Sequence, residues 1–220
     1  MKKTMLSLIV LMVFSMNMIA QKTLTEGYVK MEITEVTSDD EQTAAMLQMM
    51  KGTQTEVHFK GNRYVTNMNM MGGMMTMKTF VDEEQKHFDM LMDAMGQKYW
   101  VKSDLEEARG SDQAKLAETA EVTYDTDDKK EILGYNAYKV NITIPGQEGM
   151  AISGYITEEI KTKANLMQGM EALELKGFPL EFTVTNPMMA LTMNTVEIKE
   201  KVNAEALEMK TEGYKQMTME

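Results

Sequence analysis

The sequence contains no cysteine, so we expect neither disulfide bridges nor a lipid attached through a thiol. It has only two histidines, and they do not form the His-Glu-x-x-His pattern of a zinc hydrolase. A Gly-x-Ser-x-Gly nucleophile motif and a glycine-rich phosphate loop are also missing. The usual residues of acyl transfer and nucleotide hydrolysis are therefore lacking. The sequence predicts a protein that is not an enzyme, with no catalytic residues and no cofactor.

Positive charge is scarce, and the formal net charge is −11. Lys2 and Lys3, an apolar run and the small residue Ala20 predict a secretory signal peptide over residues 1–20, whose removal lowers the charge to −13. Such a surface repels nucleic acid and anionic headgroups. No later run reaches the roughly 20 apolar residues of a transmembrane helix. We expect a periplasmic or secreted protein with one β-rich domain over residues 21–220.

Aromatic residues are few, at 7% of the chain, whereas methionine is abundant with 27 copies. Thioether side chains are flexible and polarizable, which suits apolar surfaces that accept varied ligands. Methionine is enriched along the whole chain, including the predicted signal peptide. The methionines are therefore predicted to supply much of the apolar volume.

A run of methionines surrounds the pair Gly72-Gly73, which is typical of a tight hairpin turn. Pairing the flanking strands across this turn places Met71 opposite Met74 and aligns the neighbouring positions. Because side chains alternate between the two faces, one face is all thioether and the other is polar. The thioether face comprises Met68, Met70, Met75 and Met77. The polar face comprises Asn67, Asn69, Thr76 and Lys78.

Alternating apolar and polar residues recur along the chain and predict a succession of antiparallel strands, with Pro179 at the start of one and a bulge in the last. Capping boxes at Ser38 and Ser103 predict two short helical regions, and residues 158–171 predict another helix. The methionine edge of the first region is expected to pack on the core, with a mobile cover over an apolar groove as the alternative. A charged turn is predicted at residues 127–130. The fold class is mainly β (α+β): a single antiparallel, strongly curled sheet or half-barrel with a few short covering helices.

The order of several short motifs resembles an envelope family known as domain of unknown function 4412. The motifs are Gly96-Gln-Lys-Tyr-Trp100, Ile132-Leu-Gly-Tyr-Asn-Ala-Tyr-Lys-Val140, Gly154-Tyr-Ile-Thr-Glu-Glu159 and Leu175-Lys-Gly-Phe-Pro-Leu-Glu181. The resemblance implies a fold similar to the lipoprotein-carrier (LolA/LolB-like) half-barrel, whose concave apolar face takes a lipid chain. It implies no activity and no catalytic residue. Many members have a cysteine near the position of Asn136, and this chain has none.

The preferred hypothesis is an envelope protein that binds a lipid or another apolar small molecule on the concave face of its sheet. The predicted ligand-binding residues are Met68, Met70, Met75, Met77, Phe88, Met90, Val140, Ile142 and Phe182. Three alternatives stay open: these side chains form a packed core, the hairpin methionines bind Cu(I), or the protein is an interaction module with an envelope protein partner. His58 and His87 lie on the polar side of their strands and are predicted at the surface.

Overall fold

The structure, a computed structural model, describes residues 21–217 apart from 111–117, 148, 165, 167–172 and 174. The predicted signal peptide and residues 165 and 167–171 of the last predicted helix lie outside these residues. The strands, numbered in chain order, are β1 (Lys22–Leu24), β2 (Glu26–Thr37), β3 (Gln54–Lys60), β4 (Arg63–Met70), β5 (Met75–Asp82), β6 (His87–Ala94), β7 (Gln97–Asp104), β8 (Glu121–Ile132), β9 (Tyr135–Thr143), β10 (Ala151–Thr157), β11 (Ile160–Thr162), β12 (Phe178–Asn186), β13 (Met189–Lys199) and β14 (Lys215–Met217). The helices are α1 (Glu41–Gln48) and α2 (Leu105–Arg109).

Twelve of the strands form one open, curled sheet, in the order β14-β7-β6-β5-β4-β3-β2-β13-β12-β10-β9-β8. All neighbours in this sheet are antiparallel except β14, which runs parallel to β7 at one edge. Strands β1 and β11 form a separate parallel pair. The predicted fold class, mainly β with a curled antiparallel sheet, is confirmed.

The two faces of the sheet differ in what covers them. We call the face that carries Val29 and Val57 the inner face, because Leu105 of α2 and Leu166 pack into the same core cluster. Helix α1 covers another part of this face through Leu47. The opposite, outer face carries a smaller apolar cluster. Its members are Val65, Phe80 and Leu91, packed with Trp100, Leu207 and Tyr214.

The methionine hairpin forms in the predicted register. Met68 pairs with Met77 and Met70 pairs with Met75, so the predicted faces are confirmed. The turn is longer than predicted, since residues 71–74 form a four-residue loop and Met71 does not pair with Met74 across a ladder. The backbone explains this: Met71 as well as both glycines takes a positive φ, which widens the turn by one residue on each side.

Helix α1 begins two residues later than the predicted capping box. Its N-cap is Asp40, whose carboxylate accepts the backbone N–H of Thr43 at 2.7 Å, while the Ser38 hydroxyl donates to the carbonyl of Met188. The side chain that packs inward is Leu47, and Met46 is 64% exposed. The expectation that the methionine edge of this helix packs against the core is therefore wrong.

Two further local predictions are wrong. The predicted helix over residues 158–171 is replaced at Ile160–Thr162 by strand β11, because Lys22–Leu24 pairs with it and the N–H of Lys22 donates to the carbonyl of Glu159. The predicted charged turn at residues 127–130 is a bulge within β8, in which the Asp125 carboxylate accepts the N–H groups of Asp127 and Asp128. The bulge predicted in the strand at about Leu191–Ile198 is confirmed, since the pairing of β13 with β2 shifts register at two points.

Candidate functional site

The strand registers place all nine predicted ligand-binding residues on the inner face. Directly paired residues share a face, and residues two apart on one strand share it as well. Met68 pairs with Thr55, which pairs with Met31, and Met31 pairs with Thr195 of β13. The neighbouring row on the same face runs from Ile33 through Met193 to Phe182. Phe182 pairs with Gly154, which pairs with Val140. One continuous surface therefore carries the whole predicted set.

The nine residues lie in two different environments. Val140 and Ile142 are fully buried, at 0% and 1% exposure, in a core cluster that also contains Phe182. Phe88 packs against the neighbouring cluster around Val57. The remaining five residues are half-buried methionines. The inner face thus changes from packed core at β9 and β12 to a partly open surface at the methionine hairpin.

We call the half-buried methionines of β4, β5 and β6 the methionine floor. It comprises Met68, Met70, Met75, Met77, Met90 and Met92. Met77 is the centre of this floor, since it pairs with Met68 on one side and with Met92 on the other. None of these six belongs to the apolar clusters found among the described residues. Met92 was missing from the predicted site, although the alternation of β6 places it beside Met90.

A cavity of about 200 Å³ adjoins this floor on the inner face. Met68 lines both the cavity and the floor, so the two form one apolar surface. Leu166 also lines the cavity, together with residues of β2, β12 and β13. The apolar lining includes Met31, Met68, Leu166, Phe182, Leu191 and Met193. Of these, only Met68 and Phe182 were predicted from the sequence.

Two of the polar side chains at the cavity, Thr195 and Glu181, have partners within the protein. The Thr195 hydroxyl donates to the carbonyl of Pro179 at 3.1 Å. Both oxygens of the Glu181 carboxylate accept from the Lys130 ammonium at 2.8 Å. An ionised group placed in this cavity would find no free counter-charge there and would lose its hydration. The cavity therefore favours an uncharged, apolar occupant.

The outer face carries the two histidines, as predicted, but His58 is more enclosed than a surface residue. Its side chain is only 13% exposed, and its ring lies 4.9 Å from the ring of Tyr28. Burial lowers the pKa of His58, and the nearby Lys78 ammonium lowers it further, while Glu56 partly opposes both effects. His87 Nε2 contacts one carboxylate oxygen of the buried Asp89, whose other oxygen accepts from Trp100 Nε1 at 2.6 Å.

The lowered pKa of His58 makes the stability depend on pH. Because the folded-state pKa lies below the ordinary value of 6.5, the unfolded chain takes up the proton more readily. Above pH 6.5, His58 is therefore expected to add no pH dependence to the free energy of unfolding. Below pH 6.5, that free energy should fall as the pH drops. Urea denaturation between pH 7.5 and pH 5 measures this slope. The variant His58→Gln should show a shallower slope, and an unchanged slope contradicts the assignment.

The fold and this surface define a mainly β protein with one open, curled sheet and an apolar cavity on its inner face. In the described part of the chain, no helix is long and apolar enough to cross a membrane. The fold is similar to that of an uncharacterized conserved protein from Thermus thermophilus, with a TM-score of 0.54 and 11% identity over 89% of this chain and 91% of that one.

Weaker similarities exist to two mycobacterial proteins. Lipoprotein LppX from Mycobacterium tuberculosis gives a TM-score of 0.39 and 12% identity, with 82% of this chain and 89% of that chain covered. LprF from Mycobacterium bovis gives a TM-score of 0.37 and 15% identity, with 81% and 88% covered. No protein-family model and no curated protein matches the sequence. The similarity to the Thermus protein supports the fold alone.

Proposed function

We propose that this chain is a non-enzymatic envelope protein that binds a lipid or an acyl chain on the inner face of its sheet. The observation that carries the proposal is the continuous apolar surface formed by the cavity and the methionine floor, which meet at Met68. The apolar end of the ligand enters the cavity, and the rest of the chain lies along the floor. The signal peptide predicted from the sequence supports a location outside the cytoplasm.

The size of the cavity limits how the ligand is held. At about 200 Å³ it is smaller than the roughly 300 to 1,000 Å³ of pockets that enclose a drug-sized molecule. An apolar cavity of about 150 Å³ is nevertheless large enough to bind benzene. Each buried methylene stabilises the complex by about 0.8 kcal/mol. Because the cavity encloses only the end of the chain, much of the affinity must come from methylenes that lie on the methionine floor.

The floor leads toward one end of the sheet, where the ligand has access. The hairpin loop after β4 and the turn after β6 lie side by side there, since the N–H of Met95 donates to the carbonyl of Met74 at 3.0 Å. Met95 is 82% exposed and Met74 is also exposed. These unbranched, flexible side chains offer an apolar approach to the floor that adapts to different chains.

Filling the cavity is expected to weaken ligand binding. The variant Met193→Trp places a large ring in the cavity and excludes about two or three methylenes, so the affinity should fall at least about tenfold. Titration with a pyrene-labelled fatty acid, read by the fluorescence of pyrene, measures the change. The matched control is Met188→Trp, which adds the same ring at a residue that is exposed in the turn between β12 and β13.

Two results would contradict the proposal. One is equal affinity for the probe in Met193→Trp and the unmodified protein, with both folded by circular dichroism. The other is the absence of any lipid when protein isolated from the envelope is examined by native mass spectrometry, combined with no binding of the pyrene probe. Loss of binding in the Met188→Trp control would indicate that the probe binds elsewhere.

A second candidate function is Cu(I) binding by the hairpin. The observation that favours it is the direct pairing of Met68 with Met77 and of Met70 with Met75, since paired Cβ atoms lie about 4.5 to 5.5 Å apart and thioethers select Cu(I). Titration with Cu(I) under reducing conditions tests it. Binding weaker than about micromolar, or unchanged by Met70→Ala and Met75→Ala, ends this candidate.

A further inference from the structure

A second cavity, of about 490 Å³, lies on the outer face of the sheet, opposite the methionine floor. It is enclosed between β3–β5 and the segment that follows β13. This segment forms a short 3-10 turn at Ala204–Leu207 and is held on the sheet by Leu207 and Tyr214, which pack on the outer-face cluster. We call this cavity the outer pocket. Its walls are therefore a rigid sheet on one side and an anchored segment on the other.

The outer pocket is polar, unlike the cavity on the inner face. Direct pairing aligns Glu56, Asn67 and Lys78 in one row across β3, β4 and β5. The segment opposite contributes Glu205, Glu208 and Lys210. The pocket thus combines two ammonium groups with three carboxylates and with side-chain amides. That combination suits a ligand that has both negative charge and donor groups.

Over the residues that the structure describes, the two lysines lack the carboxylate partners that several other lysines of this protein have, although the Lys78 ammonium lies 5.6 Å from the centre of the Phe80 ring. Among the described residues, no carboxylate lies within 4.0 Å of the ammonium of Lys78 or Lys210, whereas Lys130 contacts Glu181 at 2.8 Å. Lys78 is also half-buried. Burial lowers the pKa of Lys78, and the positive charge of Lys210 lowers it further. A negative group between the two ammonium groups would relieve this repulsion.

Asn67 is a second, independent reason to expect a ligand in the outer pocket, because its side-chain oxygen lacks a hydrogen-bond donor among the described residues. Its side-chain Oδ1 is buried and accepts no hydrogen bond within the described structure. Buried acceptors in folded proteins are normally satisfied by a donor. The neighbouring Glu56 already accepts from the hydroxyl of Tyr28 at 3.0 Å. Because Asn67 also lines the outer pocket, a ligand hydroxyl there is the donor that would satisfy it.

We propose that the outer pocket binds a small polyhydroxylated anion, a sugar acid or sugar phosphate, with its anionic group between Lys78 and Lys210 and a hydroxyl donating to Asn67 Oδ1. The carboxylates of Glu205 and Glu208 accept further hydroxyl groups. The side chains that would bind this ligand lie on the face opposite the lipid site, and only Met68 and Met77 line both surfaces. One chain would then bind an apolar ligand on one face and a soluble, charged ligand on the other.

Calorimetric titration with glucuronate, glucose 6-phosphate and glucose tests the site. We expect both anions to saturate it and glucose to bind at least about tenfold more weakly. Lys78→Met removes the charge and keeps the length of the side chain, so it should weaken both anions at least about tenfold. Lys210→Met, which lies on the covering segment, should have the same effect without a change in the sheet. The matched control is Lys51→Met, an exposed lysine outside the pocket.

Several outcomes would overturn the proposal. They are no saturable binding of either anion up to about 10 mM, equal losses in Lys51→Met and Lys78→Met, or equal affinity for glucose and glucuronate. Inorganic phosphate that binds as tightly as glucose 6-phosphate overturns the role of Asn67. Titration of the same variants with the pyrene-labelled fatty acid separates this proposal from the lipid site, because the affinity of the probe should not change in Lys78→Met.

Discussion

Replacing Gly154 by alanine is expected to destabilise the protein by about 3 kcal/mol or more. A Cβ atom at this position would lie 2.2 Å from the backbone oxygen of Glu181 and 2.7 Å from a ring carbon of Phe182. The first contact is with the backbone of the neighbouring strand, so no side-chain rotation relieves it. Strand β10 must move away from β12, which weakens the ladder between them and displaces Phe182, a residue of the cavity wall.

Urea denaturation of Gly154→Ala and of the matched control Gly110→Ala measures this effect. Gly110 has a φ of −74° after α2, and a Cβ there would make ordinary contacts of 3.4 Å with two carbonyl oxygens. The control is expected to change the free energy of unfolding by less than about 0.5 kcal/mol. A loss of under about 1 kcal/mol in Gly154→Ala contradicts the close packing of Phe182 on this glycine.

The fold was predictable where local pattern and turn chemistry agree. The methionine hairpin has strict alternation on both sides of Gly72-Gly73, and its register followed from these two features alone. The alternation in β9 and β13 likewise gave strands at the correct places. In each case the information needed lies within a few residues of the strand itself.

The failures arose where distant residues decide the local structure. Ile160 reads locally as part of an amphipathic helix, but it forms a strand because Lys22 of the N-terminal segment pairs beside it. The N-cap of α1 differs from prediction because the hydroxyl of Ser38 is used by Met188, which lies far along the chain. Neither partner can be recognised from the local sequence.

The candidate site, too, was only partly predictable from local sequence patterns. Alternation correctly assigned Val140 and Met77 to one face, but it does not reveal that Val140 is packed core and Met77 partly open. That difference depends on which segments cover each part of the sheet. Met31 and Met193 were missed because the cavity lies beside the pairing of β2 with β13, two strands that are far apart in the chain.

The chemistry of the methionine floor can be resolved by replacing its hairpin quartet, Met68, Met70, Met75 and Met77, in two ways. Glutamine keeps the length of methionine but adds an amide, and each amide that loses water to an apolar ligand costs about 0.5 to 2 kcal/mol. Four such residues are expected to weaken binding of the pyrene-labelled fatty acid by at least about 2 kcal/mol, or roughly 30-fold. The same titration of the glutamine quartet measures this loss.

Leucine at the same four positions separates an apolar floor from a metal site. Methionine and leucine have similar volumes, so the leucine quartet should bind the fatty acid within about threefold of the unmodified protein. It lacks thioethers, however, and any Cu(I) affinity should disappear in both quartets. The exposed Met46, Met49 and Met50 of the α1 region, changed together to glutamine, control for a general effect of removing methionine. Loss of fatty acid binding in a leucine quartet that stays folded by circular dichroism would contradict an apolar floor. Cu(I) binding that both quartets lose, in a protein that does not bind the fatty acid, would assign this face to the metal.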